Sequence, residues 1–437
     1  MNFIYEHPYL SIALAAFLLN ISFGYIRQAT QKFSLKWFFW IHASIPLLVY
    51  MRITLHTSKW FIVPAIIVAV MGQIVGSRYR RKRMTVDDIE RFEQISDLRI
   101  DEKSKEKVSD QDVSIVLMNM GGPENIGEVK PFLLRLFKDD LIIRFPLSKI
   151  LQPFFAWLIV TIRSSVTEER YKLIGGGSPI LKSTQAQAAA LAEELARRGR
   201  PCDVQVCFNY SHPLPDETIE TVKSKAKKFI LPLSLYSHYS AATTGSNIFY
   251  LKKEAASRYP SVQFLKSKAY YLDDNFITAF VDRIQDVLKN GESLDDFYLL
   301  FSAHGLPLYF LKEADPYPFE VSQTAAKVLD RLKRKEKWSI SYQSAVGPLQ
   351  WLKPSTGSVL AALARRGVKK LLVCPISFVT DHIETICEID IEYRKVAQDL
   401  GIKDFRMSKA LECHPLFIKA LADCVEDSLR SYQERRY

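Results

Sequence analysis

The sequence predicts an α/β protein of two similar doubly wound lobes enclosing a ligand cleft, preceded by an α-helical membrane segment. Three observations predict it. From residue 113 onward, apolar strand-like runs alternate with amphipathic helical stretches, the pattern of parallel sheets covered on both faces. A short internal repeat pairs Pro232-Leu233-Ser234-Leu235-Tyr236-Ser237 with Pro375-Ile376-Ser377-Phe378-Val379-Thr380, and each copy follows a Lys-Lys strand start (Lys227-Lys228, Lys369-Lys370). Residues 1–83, finally, hold three apolar segments flanked by most of the chain's excess positive charge.

The N-terminal region comes first. Of the net charge of +11, residues 1–83 contribute +9, from ten Lys/Arg against Glu6 alone. The rest of the chain is nearly neutral, which does not support a nucleic-acid partner. Segments 8–26 and 60–76 approach the ~20 residues that cross a bilayer. The middle segment, 37–51, is shorter and contains His42 and Pro46, so a re-entrant or interfacial placement fits it equally well. Residues 1–83 thus read as a membrane anchor of two or three transmembrane helices, with the lipid bilayer as partner. Trp37, Trp40, Tyr50 and Trp60 lie near segment ends, as interfacial aromatics do. The run Arg78-Tyr79-Arg80-Arg81-Lys82-Arg83 places the remainder of the chain on the cytoplasmic side of the inner membrane. Residues 84–110, dense in charge, form a linker. Lobe 1 spans 111–290 and lobe 2 spans 291–437.

Within the lobes, 113–119, 204–208, 229–235, 297–302 and 371–378 read as strands. Residues 185–198, 216–227, 274–288, 322–334, 356–366 and 415–432 read as helices. Strand-end loops at 119–122 and 302–305 then join those of the repeat at the carboxyl ends of the sheets, where such folds bind ligands. The six cysteines form no CxxC pair and no zinc-like spacing, and read as reduced, mostly buried thiols.

Two motifs carry chemistry. Asp381-His382-Ile383-Glu384-Thr385-Ile386-Cys387-Glu388 opens a helix on which Asp381, Glu384, Glu388 and Glu392 share a face. Stacked carboxylates repel, so such a ladder implies a compensating cation or proton traffic. His304, in Ser302-Ala303-His304-Gly305-Leu306-Pro307, comes after a buried strand, with Ser302 placed to orient its ring. Neutral imidazole is both a ligand for ferrous-like ions and a base near pH 7. Gly175-Gly176-Gly177-Ser178-Pro179 fails the dinucleotide and nucleophile-elbow patterns, and reads as a turn or as a close approach to a flat ligand. His238, with Ser240, Thr243 and Thr244, reads as loop hydrogen bonding.

These blocks, with Leu117–Pro123, Phe132–Phe137, Tyr171, Tyr239–Ser246, Tyr342-Gln343-Ser344 and Val346-Gly347-Pro348 in the same order, resemble the ferrochelatases over residues 113–430. The resemblance implies two facing Rossmann-like, chelatase-type lobes that clamp a porphyrin, and insertion of Fe²⁺ into protoporphyrin IX to form protohaem. It implies His304 as catalytic base and metal residue, and Glu384 as its catalytic partner across the macrocycle. Glu388 and Asp381 join them as metal-site acids, and Met120, Arg163, Tyr171 and Ser178 line the porphyrin. Family members acting on coproporphyrin carry tyrosine where Met120 stands. No cofactor is expected beyond Fe²⁺ as substrate, and no iron–sulfur cluster, because the C-terminal cysteines are only Cys413 and Cys424 and Ala241 takes the family's internal cysteine position. The alternatives are a sister chelatase acting on coproporphyrin or sirohydrochlorin with Fe²⁺ or Co²⁺, and a non-catalytic haem-binding membrane protein. Oligomeric state is not legible.

Overall fold

The computed structural model describes residues 7–28, 35–55, 57–83, 108–139, 141–142, 148–345 and 350–434. Most of the predicted linker and the Val346-Gly347-Pro348 motif lie outside them. The described residues fall into two compact units, 7–83 with 148–157, and 108–142 with 158–434.

In the first unit, helix Pro8–Gln28 packs along helix Ile62–Arg83. Small residues allow the backbones to touch: a Cβ on Gly24 would lie 2.3 Å from Gln73 O, and one on Gly72 2.4 Å from Phe17 O. Ile12, Ala16 and Asn20, one helical turn apart, are buried along this seam. The buried Gln73 amide donates to Asn20 Oδ1 (2.9 Å) and to the carbonyls of Trp40 and Ile41, and Ser44 Oγ donates to Asn20 Oδ1. The middle segment breaks into Leu35–His42 and Ile45–Thr54, with Pro46 in the first turn of the latter.

Among the described residues no helix is long and apolar enough to cross a membrane, which departs from the expected transmembrane helices. At 1.5 Å per residue the two middle pieces reach only ~12–15 Å against the ~30 Å of a hydrocarbon core. The flanking helices interrupt their apolar runs with Asn20 and Gln73, and end in Arg27-Gln28 and in the 78–83 basic cluster.

The second unit holds two four-stranded parallel sheets of the same topology. Strands β1 (Val113–Asn119), β2 (Asp203–Phe208), β3 (Phe229–Ser234) and β4 (Gln263–Phe264) lie in the order β2-β1-β3-β4. Strands β5 (Tyr298–His304), β6 (Trp338–Gln343), β7 (Lys370–Cys374) and β8 (Asp404–Met407) lie in the order β6-β5-β7-β8. The repeat seen in the sequence is therefore structural, since β3 and β7 occupy the same place in their sheets. Strands β1, β3 and β5 are apolar almost without interruption because helices cover both faces. One core unites the sheets: Phe229 and Phe276 beside the first share a cluster with Phe297, Phe301 and Phe417 from the second half. The closing helix Pro415–Glu434 returns to the first half, where Arg198 pairs with Asp423 (2.6 Å) and Glu426 (2.9 Å).

Several element readings change. Strand 371–378 ends at Cys374, because Pro375 has no N–H to give the ladder, although Ile376 N still donates to Ser302 O of β5 (3.0 Å). The acidic helix starts at Ile383 and is a π-helix through Tyr393. Strand β6 and the long helix Ser148–Leu173 had no counterpart among the expected elements.

Candidate active site

In each sheet the chain runs from the second strand to the third across the first, so β1/β3 and β5/β7 are switch points with a crevice at their carboxyl ends. His304 is the last residue of β5, and the segment after β7 leads into the π-helix that carries Glu384. The crossover thus brings together two residues 80 positions apart: His304 Nδ1 lies 3.1 Å from Glu384 Oε2, with the side chains 33% and 22% exposed. The His304 backbone is held on both sides, its N–H donating to Ser377 Oγ (2.9 Å) and its carbonyl accepting from the Tyr317 hydroxyl (2.9 Å). The Phe378 ring stands edge-on to the imidazole, with centroids 6.2 Å apart.

The ring is oriented by Glu384 and not by Ser302, whose hydroxyl donates to Gln343 Oε1 (2.6 Å). Nor do His304 and Glu384 face each other across a flat ligand. A stacked ring needs ~3.5 Å to each neighbour, so none fits between groups 3.1 Å apart, and both act on one side of whatever enters.

Burial disfavours the imidazolium of His304, but the Glu384 carboxylate against it, and Glu388 behind, outweigh this and lift its pKa above the ordinary value. Burial likewise disfavours the Glu384 charge, but His304 and then His382 (Nε2 at 3.5 Å) hold the carboxyl well below its usual range. Glu388 is raised, first by burial and then by the charge of Glu384. It accepts from Ser344 N (2.8 Å) and Oγ (2.5 Å) and from Tyr393 OH (3.4 Å). Glu392 continues the row and ends it on Arg170 at 2.8 Å.

A π-helix, with its wider turn, keeps residues four apart nearer one line than a helix of 3.6 residues per turn does. Asp381 leaves the row. It precedes the helix, its Oδ2 accepts from Ala410 N (3.3 Å), and its own N–H donates to Glu412 Oε1 (2.6 Å). Among the described residues no group of three or more His, Cys, Asp or Glu side chains is arranged to hold a metal ion.

Of the expected porphyrin contacts, Tyr171 is buried, and its hydroxyl pKa is raised by burial and by the Glu384 charge, which places it near the pair. Met120 comes directly after β1, and its carbonyl accepts from Tyr210 N (3.1 Å). Ser178 N donates to Pro123 O (2.7 Å), and a Cβ on Gly122 would meet Ser178 Cβ at 2.7 Å. The glycine run before it is a turn: Gly175 and Gly176 take φ of +100° and +89°, and Gly176 N caps Tyr171 O (2.8 Å). Arg163 is exposed on helix Ser148–Leu173, and no described interaction ties its guanidinium to the pair.

Sequence reasoning missed Gln343 as a brace. Buried at the end of β6, it binds Ser302, donates to Glu384 O (2.8 Å), and reaches Glu388 Oε2 (3.5 Å). Its polar side chain in an otherwise strand-like stretch was the available signal. The remaining histidine reading is consistent with the structure, since buried His238 is bonded to Ser237 and Thr324, and burial lowers its pKa to about 3.

A doubly wound protein with an ionised carboxylate against an imidazole at its switch point, backed by a second, protonatable acid, is built to move protons beside a bound ligand. The ferrochelatase family model matches residues 112–429. Among curated relatives, ferrochelatase of Picosynechococcus sp. is 42% identical over 320 residues, 72% of this chain and 83% of that protein. Ferrochelatase of Synechocystis sp. is 41% identical over 321 residues, 72% of this chain and 82% of that protein. Among solved structures, SirB from Bacillus subtilis with Fe³⁺ matches at a TM-score of 0.46 and 14% identity, over 74% of this chain and 97% of that one. The chain belongs to the ferrochelatase family, and with it to the lyases that insert metal into porphyrins.

Proposed function

We propose that the chain inserts Fe²⁺ into protoporphyrin IX, with His304 as the base that takes the pyrrole protons. The contact between His304 Nδ1 and Glu384 carries this reading. An ionised Glu384 accepts the Nδ1–H, which leaves the Nε2 lone pair as the free acceptor. Each proton taken makes the imidazolium that Glu384 is already placed to stabilise. Glu388, raised and hydrogen-bonded, is the next proton carrier, and Glu392 with Arg170 ends the row. Fe²⁺ is substrate and is handed on, which a pair of ligands with a third behind suits better than a closed cage. No iron–sulfur cluster takes part. Met120, Tyr171 and Ser178 line the macrocycle, with Arg163 at its outer edge.

The N-terminal unit associates with the cytoplasmic face of the inner membrane. Support comes from its exposed apolar side chains, among them Leu10, Leu14, Leu18, Ile66 and Ile67, at 50–57% exposure, and from the basic run at 78–83. Membrane association keeps the enzyme where apolar porphyrin and haem partition.

Purified full-length protein mixed with Fe²⁺ and protoporphyrin should quench porphyrin fluorescence as metal enters. His304→Ala should abolish turnover while leaving porphyrin binding, read by fluorescence anisotropy, nearly intact. Full turnover in that variant removes His304 from the chemistry.

A further inference from the structure

The first unit contains a cavity of about 400 Å³ that the metal-insertion chemistry does not use. Its walls are aliphatic, with Leu48, Val49, Ala65, Ile66 and Ala69 among them. Asn20, Ser44 and Gln73 also line it, but they satisfy one another and the Trp40 and Ile41 carbonyls. Arg27 is stacked over the Trp37 ring at 5.6 Å, and His42 Nδ1 is bonded to Phe38 O (2.8 Å). Arg52 is different. It lines the cavity, and its buried Nε has no hydrogen-bond partner. The described residues of this unit include no Asp or Glu that could neutralise it. A buried guanidinium N–H with no hydrogen-bond partner, and no acid to answer it among the described residues, is costly, so its presence in an apolar cavity calls for an anionic occupant.

We infer that this cavity is a binding site for a long-chain fatty acid, with the carboxylate on Arg52 and the acyl chain among the aliphatic walls. The volume lies near the lower end of small-ligand pockets, ~300–1,000 Å³, and holds one acyl chain and not the two of a phospholipid. The guanidinium fork matches a carboxylate in geometry as well as in charge.

The test uses the full chain in neutral detergent, with the fluorescent fatty acid cis-parinaric acid as probe. Saturable binding is expected, displaced by palmitate and at least tenfold less well by hexadecanol, which has the same chain without the charge. Arg52→Gln should weaken the probe at least tenfold, and Ala69→Phe, which fills the cavity, should abolish its binding. Both variants should insert Fe²⁺ into protoporphyrin at the parent rate and keep the parent's helix content by far-UV circular dichroism, the latter showing that the helical first unit still folds. The inference is overturned by non-saturable binding, or by hexadecanol displacing as well as palmitate, a comparison that needs no variant. Stronger displacement by phosphatidylglycerol or by protoporphyrin than by palmitate overturns it as well.

Discussion

Gly305→Ala tests how tightly the fold holds its proposed base. Gly305 sits next to His304 in the chain and donates its N–H to Gln343 O at 2.9 Å. A Cβ at this position would lie 2.6 Å from that same oxygen and 3.4 Å from the Trp351 ring. Ordinary contact begins near 3.4 Å, so His304–Gly305 or the end of β6 must yield by about 0.8 Å. The Gln343 backbone cannot retreat freely, because its side chain braces Ser302, Glu384 O and Glu388. Overpacking of this kind costs ~1–3 kcal/mol of stability. The greater effect should be on catalysis, since moving a base by close to 1 Å lowers rates by up to ~100-fold.

Thermal unfolding and loss of porphyrin fluorescence with Fe²⁺ measure the two effects on one sample. Gly367→Ala is the control: its φ is +80° with open space around the Cβ, and it lies in the loop before β7, at the opposite end of the strands. It should lose ~1–2 kcal/mol to left-handed backbone strain and keep its activity. Parent activity and an unchanged melting temperature in Gly305→Ala would refute the close approach of the β5 and β6 ends, and with it the account of how His304 is held.

The electrostatics of the buried groups lead to two more expected outcomes. In the parent, His304 has a raised pKa, so its contribution to stability is complete below ~6.5 and is lost as pH rises through the higher folded value. Glu384 has a lowered pKa, so its contribution is present above ~4.5 and is lost as pH falls through the lower folded value. Glu384→Gln should therefore drop the His304 midpoint, read by NMR of the imidazole ring, because burial is then opposed only by Glu388; an unchanged midpoint would separate the two residues. Buried His238 works in the opposite sense. Its folded pKa of about 3 lies below the unfolded ~6.5, so stability is lost as pH falls from 6.5 toward 3, by on the order of 5 kcal/mol in all. His238→Gln, which retains bonding capacity toward Thr324, should flatten the acid limb of a denaturation series; an equal slope would show that His238 is not the sensor.

Much of this was legible in one dimension because it rests on period and composition. Strand β1 matched its apolar run residue for residue, and the helix at 356–365 its amphipathic stretch, since a strand buried on both faces must be apolar throughout. What the apolar count at the N-terminus could not convey was the break between His42 and Ile45, where Pro46 starts a new helix. Four-residue spacing also could not distinguish an α- from a π-helix, because that choice lies in backbone hydrogen bonds. Asp381 matched the row in spacing but sits ahead of the helix and turns to Ala410.

The sequence alone determined the repeated α/β pattern, the family, and His304 and Glu384 as candidates, because apolar runs and chemical type are properties of individual residues in order. Only the tertiary structure decided that these two touch, that Glu384 rather than Ser302 orients the imidazole while Gln343 braces the acids, and that Arg52 lines an apolar cavity with no acidic partner among the described residues. Those are matters of distance between residues far apart in the chain. They depend on how crossovers close and how side chains pack, which no local pattern records.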